Sequence, residues 1–145
     1  MQETIKAKGA VDIQIFENGE LIDRIQDNNL VVTLGKTNIA LLLGGNAAGK
    51  AITKIAVGSS SNTPAVGDNT ITNAFIKALS AVTYPDAQSV QFGFDIDNAD
   101  ANGLTIREFG LLNADNVLCA RKVRNAEIAK TNVIRLVGTW TITVN

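Results

Sequence analysis

Apolar and polar residues alternate with a period of two along most of the chain, and that period predicts strands. Ile5, Ala7, Gly9, Val11, Ile13 and Ile15 share one side, and Lys6, Lys8, Asp12 and Gln14 the other, as in a strand with one wet face. Asn18-Gly19, between Glu17 and Glu20, signals a two-residue hairpin, because both central positions of a type I′ turn need positive φ. The return strand reads as Leu21 to Gln26, with Asp27-Asn28-Asn29 expected to break the sheet and offer a helix N-cap. Leu34, Ile39, Leu42 and Leu43 then recur at near-helical spacing and stop at Gly44-Gly45, which predicts one short helix at about 33–44.

Ile52 to Val57 is a strand with two semi-apolar sides. Residues 58–69, rich in Ser, Asn, Gly and Pro, form an irregular surface loop. Ile71 to Leu79 carries Phe75, Ile76 and Leu79 at spacings that suit a helix, and periodicity alone leaves it open. Tyr84 precedes Pro85 in an expected turn, after which Val90, Phe92, Phe94 and Ile96 alternate with Gln91, Gly93, Asp95 and Asp97 as a half-buried strand. In the last strand Ile134, Leu136, Gly138, Trp140, Ile142 and Val144 face in and Arg135, Thr139, Thr141 and Thr143 face out. Short strands separated by turns, with a single helix, predict a mainly β antiparallel sandwich or flattened barrel. No linker, repeat or low-complexity tract divides the chain, so 1–145 is read as one β-sandwich domain, and the abrupt end at 140–145 favours a complete small protein.

The hairpin at 105–124, TIREFGLLNADNVLCARKVR, sets charge against this alternation. Ile106, Glu108, Gly110 and Leu112 fall on one face and Thr105, Arg107, Phe109 and Leu111 on the other, so neither is wholly polar. A basic return follows the turn at 113–116, with Arg121, Lys122 and Arg124. Such a strand suits a sheet covered on one side by its own domain and partly on the other by a neighbour. Glu108, on a semi-buried strand, needs a cation, and Arg107, Arg121 or Arg124 can supply it.

The order I-R-E-F-G-L-L-N-A-D-N-x-L-x-A-R in this hairpin resembles a hairpin of tailed-bacteriophage virion proteins, found in tail-fibre N-terminal (tail-collar fibre) modules and small tail or collar proteins. Ile55 to Ala65 with Gly67-Asp68-Asn69-Thr70 is similar to the same families' "IAVGxGxxxPAxGDTxL" loop, and Asn29 to Gly35 with Leu41 to Gly45 resembles their "NxVVxxGxxxLaxLL" segment. Asn116 stands where the family often has Gly, and Asn tolerates the left-handed backbone the turn needs. Asn69 is a second departure, inside the loop. The resemblance implies extended backbone over most of 71–79 and a structural role without catalysis.

Composition narrows the chemistry. The 145 residues carry 13 basic and 14 acidic side chains, and a net charge of −1 offers no global attraction to nucleic acid or an anionic membrane. No apolar run has the length of a signal-peptide core or a membrane span. Cys119 alone cannot form an intrachain disulfide, and it reads as a small buried hydrophobe. Histidine is absent, which removes Ser-His, Cys-His and His-ligated metal chemistry. Gly44 to Lys50 mimics a phosphate-binding loop, yet Ala51 lacks the metal-binding hydroxyl and a β-branched strand follows where a helix is needed. Asp95, Asp97 and Asp100 gather oxygen at a strand end without an EF-hand's spacing, and a solvated turn explains them. Asp95 and Glu108 are also conceivable as paired catalytic carboxylates, although a structural ion pair explains Glu108 better. Trp140, on an inward face, reads as core, and Tyr84 as exposed.

The expectation is a non-enzymatic virion structural protein, a tail, collar or fibre-attachment component made in the host bacterial cytoplasm. It needs no cofactor, metal, small-molecule substrate, nucleic acid or membrane. Its partners would be its own copies and neighbouring tail or neck proteins, met through Arg107, Glu108, Arg121, Lys122 and Arg124 with the loop residues Thr63, Pro64 and Asp68. The loop is expected to be mobile until a partner orders it. The competing reading is a carbohydrate-binding or adhesin-like β-sandwich module.

Overall fold

The computed structural model describes residues 3–145. Nine strands and one helix follow in the order β1 (Ala7–Glu17), β2 (Glu20–Val31), α1 (Thr33–Leu43), β3 (Ile52–Gly58), β4 (Phe75–Ala78), β5 (Ala81–Asp86), β6 (Ser89–Ile96), β7 (Thr105–Asn113), β8 (Leu118–Ala129) and β9 (Ile134–Val144). All pairings are antiparallel, and the strands form one sheet in the order β4-β3-β7-β8-β2-β1-β9-β6-β5. The sheet curls into a half-barrel, as the alternation of inward apolar residues predicts.

Curling brings the two halves face to face around one main core. Val11, Ile13, Phe94, Leu136 and Trp140 come from the β1, β6 and β9 half, and Ile55, Val57, Ile106, Phe109 and Leu111 from the β3 and β7 half. Each of these is at most 3% exposed, and burial of each such side chain contributes about 1.5–3 kcal/mol. Trp140 donates its indole N–H to Asn29 Oδ1 at 2.7 Å, so the largest core residue keeps its one polar atom satisfied. Asn29 reaches it across Gly9, its partner in the β1–β2 register. A Cβ on Gly9 would stand 1.9 Å from that same Oδ1.

A second, smaller core lies on the outer face of the β3, β7 and β8 half, built from Val32, Ala56, Ile71, Leu112 and Leu118. Helix α1 and the loop after β3 cover it. The helix reaches the sheet at Gly35, where any Cβ would lie 2.1 Å from the Cys119 carbonyl oxygen. Of its larger apolar side chains, Ile39 and Leu41 are half-buried, and Leu34, Leu42 and Leu43 are exposed.

Most predicted elements are found: the Asn18-Gly19 turn has φ of 50° and 81°, the helix spans Thr33–Leu43, and β6 and β9 keep their alternation. In β7 an irregularity between Ile106 and Glu108 breaks the alternation and puts Ile106 in the main core with Phe109 and Leu111, off the face it was expected to share with Glu108. Four other readings change. Asp27-Asn28-Asn29 does not break the sheet, because β2 runs on to Val31 and changes partner there, from β1 to β8, with Leu30 and Val31 facing Arg121 and Ala120. The helix N-cap is accordingly Val32, without a side-chain cap. Residues 71–74 are irregular and β4 holds just four residues of the expected strand. Tyr84 and Pro85 belong to edge strand β5, where a missing N–H leaves no inner ladder bond unmade, and the turn falls at 87–88. Ile5 precedes β1 and is 73% exposed.

Candidate interface site

The β7–β8 hairpin sets Gly110 opposite Arg121 and Glu108 opposite Val123 on the outer face, while Phe109 and Leu111 enter the main core. Its turn depends on Asn116 at φ 61°, the left-handed geometry expected of an Asn in place of Gly. Asn113 Oδ1 accepts the N–H groups of Asp115 and Val117 at 2.9 and 3.0 Å and closes the turn from inside.

Glu108 is 0% exposed and Arg121 is 3% exposed. Glu108 Oε1 accepts the Thr72 N–H at 3.2 Å, and Oε2 lies 3.5 Å from an Arg121 terminal nitrogen, a charge contact without a hydrogen bond. Arg121 donates to Asp68 Oδ2 at 2.9 Å and to the Asn62 carbonyl at 3.0 Å. Asp68 in turn accepts the Ala65 N–H at 2.9 Å. The loop that leaves β3 is therefore tied at three points to two adjacent strands. Backbone bonds add a second tie, from Thr33 N–H to the Val66 carbonyl at 2.8 Å and from Ser59 N–H to the Thr72 carbonyl at 3.0 Å.

The other basic residues have separate partners. Beyond Leu30 and Val31, strands β2 and β8 part, and side chains bridge the gap: Lys122 to Asp27 at 2.6 Å, and Arg124 to Asp23. The Lys122 ammonium holds the Asp27 carboxyl below the usual carboxylate range. Arg107 pairs with Glu127 across a wide irregularity in β8 and reaches the Ser59 carbonyl at 3.4 Å. Thr63 is exposed, and Pro64 is half-buried beside Leu30 and Arg121.

Arg107, Glu108, Arg121, Lys122 and Arg124 thus each have a charged partner within the chain. Glu108 meets the cation expected of it, and that cation is Arg121. As direct partner contacts Glu108 and Arg121 need correction, because both are sealed inside, and Asp68 is committed to Arg121. Arg107, Lys122, Arg124, Thr63 and Pro64 keep accessible surface. The loop expected to stay mobile is held in place by its own domain.

A second polar cluster lies where edge strand β4 meets the end of β6. Lys77 Nζ donates to the Asp95 carbonyl at 2.8 Å and contacts Asp97 at 3.4 Å and Asp100 at 2.5 Å. Its bond to Asp100 raises the Lys77 pKa. Arg135 takes Asp95 in a two-pronged bond of 3.0 and 2.6 Å, which lowers the Asp95 pKa. The backbone N–H of Ala99 lowers that of Asp97. Asp95 and Glu108 therefore serve different arginines on different strands and do not form a carboxylate pair. Lys130, 1% exposed, donates to Asn102 Oδ1 and the Thr131 carbonyl, and burial lowers its pKa. Sequence reasoning overlooked Lys77 and Lys130. The signal was in the alternation, since Lys77 lies in step with Phe75 and Leu79, and Lys130 with Ile128.

The segment resembling a phosphate loop follows the C-terminus of α1 and leads into β3, and Asn38 clamps the Lys50 backbone at 2.7 and 2.9 Å. That is the reverse of the strand-to-helix order phosphate binding uses. No helix among the described residues is long and apolar enough to cross a membrane. Fold and site together define an all-antiparallel half-barrel whose charged hairpin clamps a long loop. Comparison of the chain with family models, with curated proteins and with solved structures gave no match.

Proposed function

We propose that the chain is a non-enzymatic structural protein of a tailed-bacteriophage virion, a tail, collar or fibre-attachment component that assembles with its own copies and with neighbouring tail or neck proteins. One observation supports this most: the three sequence blocks that resemble such proteins meet in space as one packing unit. The block from Asn29 gives Val32 to the outer core, the block from Ile55 gives Ala56, and the hairpin gives Leu112 and Leu118. Val32 N–H bonds the Cys119 carbonyl at 3.1 Å, Thr33 bonds Val66, and Arg121 bonds Asp68, so each block touches both others.

In this reading the protein works by shape. The Arg121 clamp fixes a loop that an assembling surface needs to present without ordering it anew, and the outward Leu34 and Val66 beside it supply apolar contact area. A carbohydrate-binding module stacks sugar on exposed aromatic rings, and Trp140 and Tyr84 are the pair to consider for such a platform. With Trp140 fully buried, Tyr84 is left without that stacking partner. The test is copurification: tailed particles from a host expressing a tagged copy should carry the protein through a density gradient, and its confinement to the soluble fraction would contradict the proposal.

A further inference from the structure

The ends of strand β1 carry opposite surfaces. At its start, the segment before Ala7 and helix α1 enclose a groove of about 610 Å³ with Ile5, Ile39 and Leu43 in its apolar lining. Ile5 is 73% and Leu43 85% exposed, so this lining is open to water. The charged residues of the groove are Lys6, Lys8 and Lys36. None of the three forms an ion pair among the described residues.

At the far end, about 33 Å away by the rise of an eleven-residue strand, is the β1–β2 turn. Glu17 and Glu20 flank it, likewise without ion-pair partners among the described residues, and Leu21 and Ile22 beside them are each 53% exposed. A bulge accounts for the two adjacent apolar side chains. Ile15 faces Asp23 and Phe16 faces Leu21, so Ile22 is the unpaired extra residue. Asn18 N–H, bonded to the Val133 carbonyl at 2.9 Å, braces the tip against the β8–β9 loop.

We propose that copies of this chain associate head to tail, the acidic apolar tip of the β1–β2 hairpin seating in the lysine-rimmed groove of the next copy. The groove is concave, apolar and cationic, and the tip is convex, apolar and anionic. Groove against groove or tip against tip would bring like charges together, which costs several kcal/mol. Tip to groove is the pairing in which both charge and apolar surface match. Because the two surfaces differ, the contact is heterologous and propagates into a ring or a filament according to the rotation between copies. A braced two-residue turn has little conformational freedom to lose on docking. This contact gives the self-association of the proposed function a definite surface, and it rests on that reading only for the expectation that copies meet.

Charge exchange tests it. Sedimentation velocity of the full chain at low salt should show mass rising with concentration. The tip variant Glu17→Lys/Glu20→Lys and the groove variant Lys6→Glu/Lys8→Glu/Lys36→Glu should each associate about tenfold or more weakly. An equimolar mixture should recover assembly, since each reversed surface then meets its complement. All five positions are exposed, and the variants should melt with the wild type. Should one fold poorly, Ile22→Asp and Leu43→Asp read the same contact through its apolar half, and each should remain monomeric. A wild type that stays monomeric, a tip variant that assembles normally, or a mixture of folded variants that stays apart overturns the proposal. Loss from the groove variant alone also overturns it, since the groove would then take another occupant, an amphiphile or a different protein. Failure to copurify with particles would leave these results untouched.

Discussion

Replacing Arg121 with Met should destabilise the protein far more than its two short hydrogen bonds suggest. The change removes a guanidinium that is 3% exposed and leaves Glu108, at 0% exposure, with the Thr72 N–H as its one remaining partner. Breaking a buried pair from one side costs about 3–5 kcal/mol because a charge stays behind unpaired. For a chain of this size each kcal/mol lowers Tm by about 2–4 °C, which gives a fall of roughly 6–20 °C. The double variant Arg121→Met/Glu108→Leu should recover much of the loss, since no orphaned charge remains inside. What it should not recover is the tie from Arg121 to Asp68 and Asn62, so hydrogen exchange at 60–68 should stay fast while Tm rises. Urea titration of the four corners of this cycle gives the coupling. A single variant that loses under about 1 kcal/mol, or losses that simply add, would refute a buried pair that clamps the loop.

Three further outcomes follow from the geometry. Asn29→Ala should cost about 1–3 kcal/mol by leaving the Trp140 indole N–H without its acceptor, and Gly9→Ala a comparable amount through its clash with Asn29. Combined, they should cost less than their sum in urea titrations, because the clash goes with the Asn side chain. Asp12, Asp95 and Asp97 have pKa values lowered from 3.8, by Arg24, Arg135 and the Ala99 N–H in turn, so their stabilisation is complete above that value. It is lost as pH falls through the lower folded values, and the acid limb of a Tm–pH curve should flatten in Arg135→Gln. The Cys119 thiol, pushed up to about 11 by burial, should resist a disulfide reagent at pH 8 in the native protein and react on unfolding.

Strict alternation was legible wherever one face met the core, as in β6 and β9, and the Asn18-Gly19 turn was legible because few residue pairs accept positive φ twice. β2 was misread for a physical reason. Asp27 and Asn28 carry turn chemistry, yet β1 pairs with their backbone, and their side chains lie in water on a sheet that is about to change partner. Pro85 hid β5 in the same way, since a proline that would end an inner strand is tolerated at an edge. The setting of the hairpin's charged residues was half legible. That Glu108 needed a cation followed from its place on a semi-buried strand. That Arg121 would also hold Asp68, 53 residues away, could not be read from local pattern, and it turns a predicted outward contact into an inward one.

The most direct test of an assembly role is quantitative mass spectrometry of gradient-purified tailed particles from a lysate of the strain that carries this coding sequence. A virion component should band with the particles at a fixed whole-number ratio to the tail proteins, unchanged on repeated banding. Abundant protein in the lysate with none in the banded particles would contradict it.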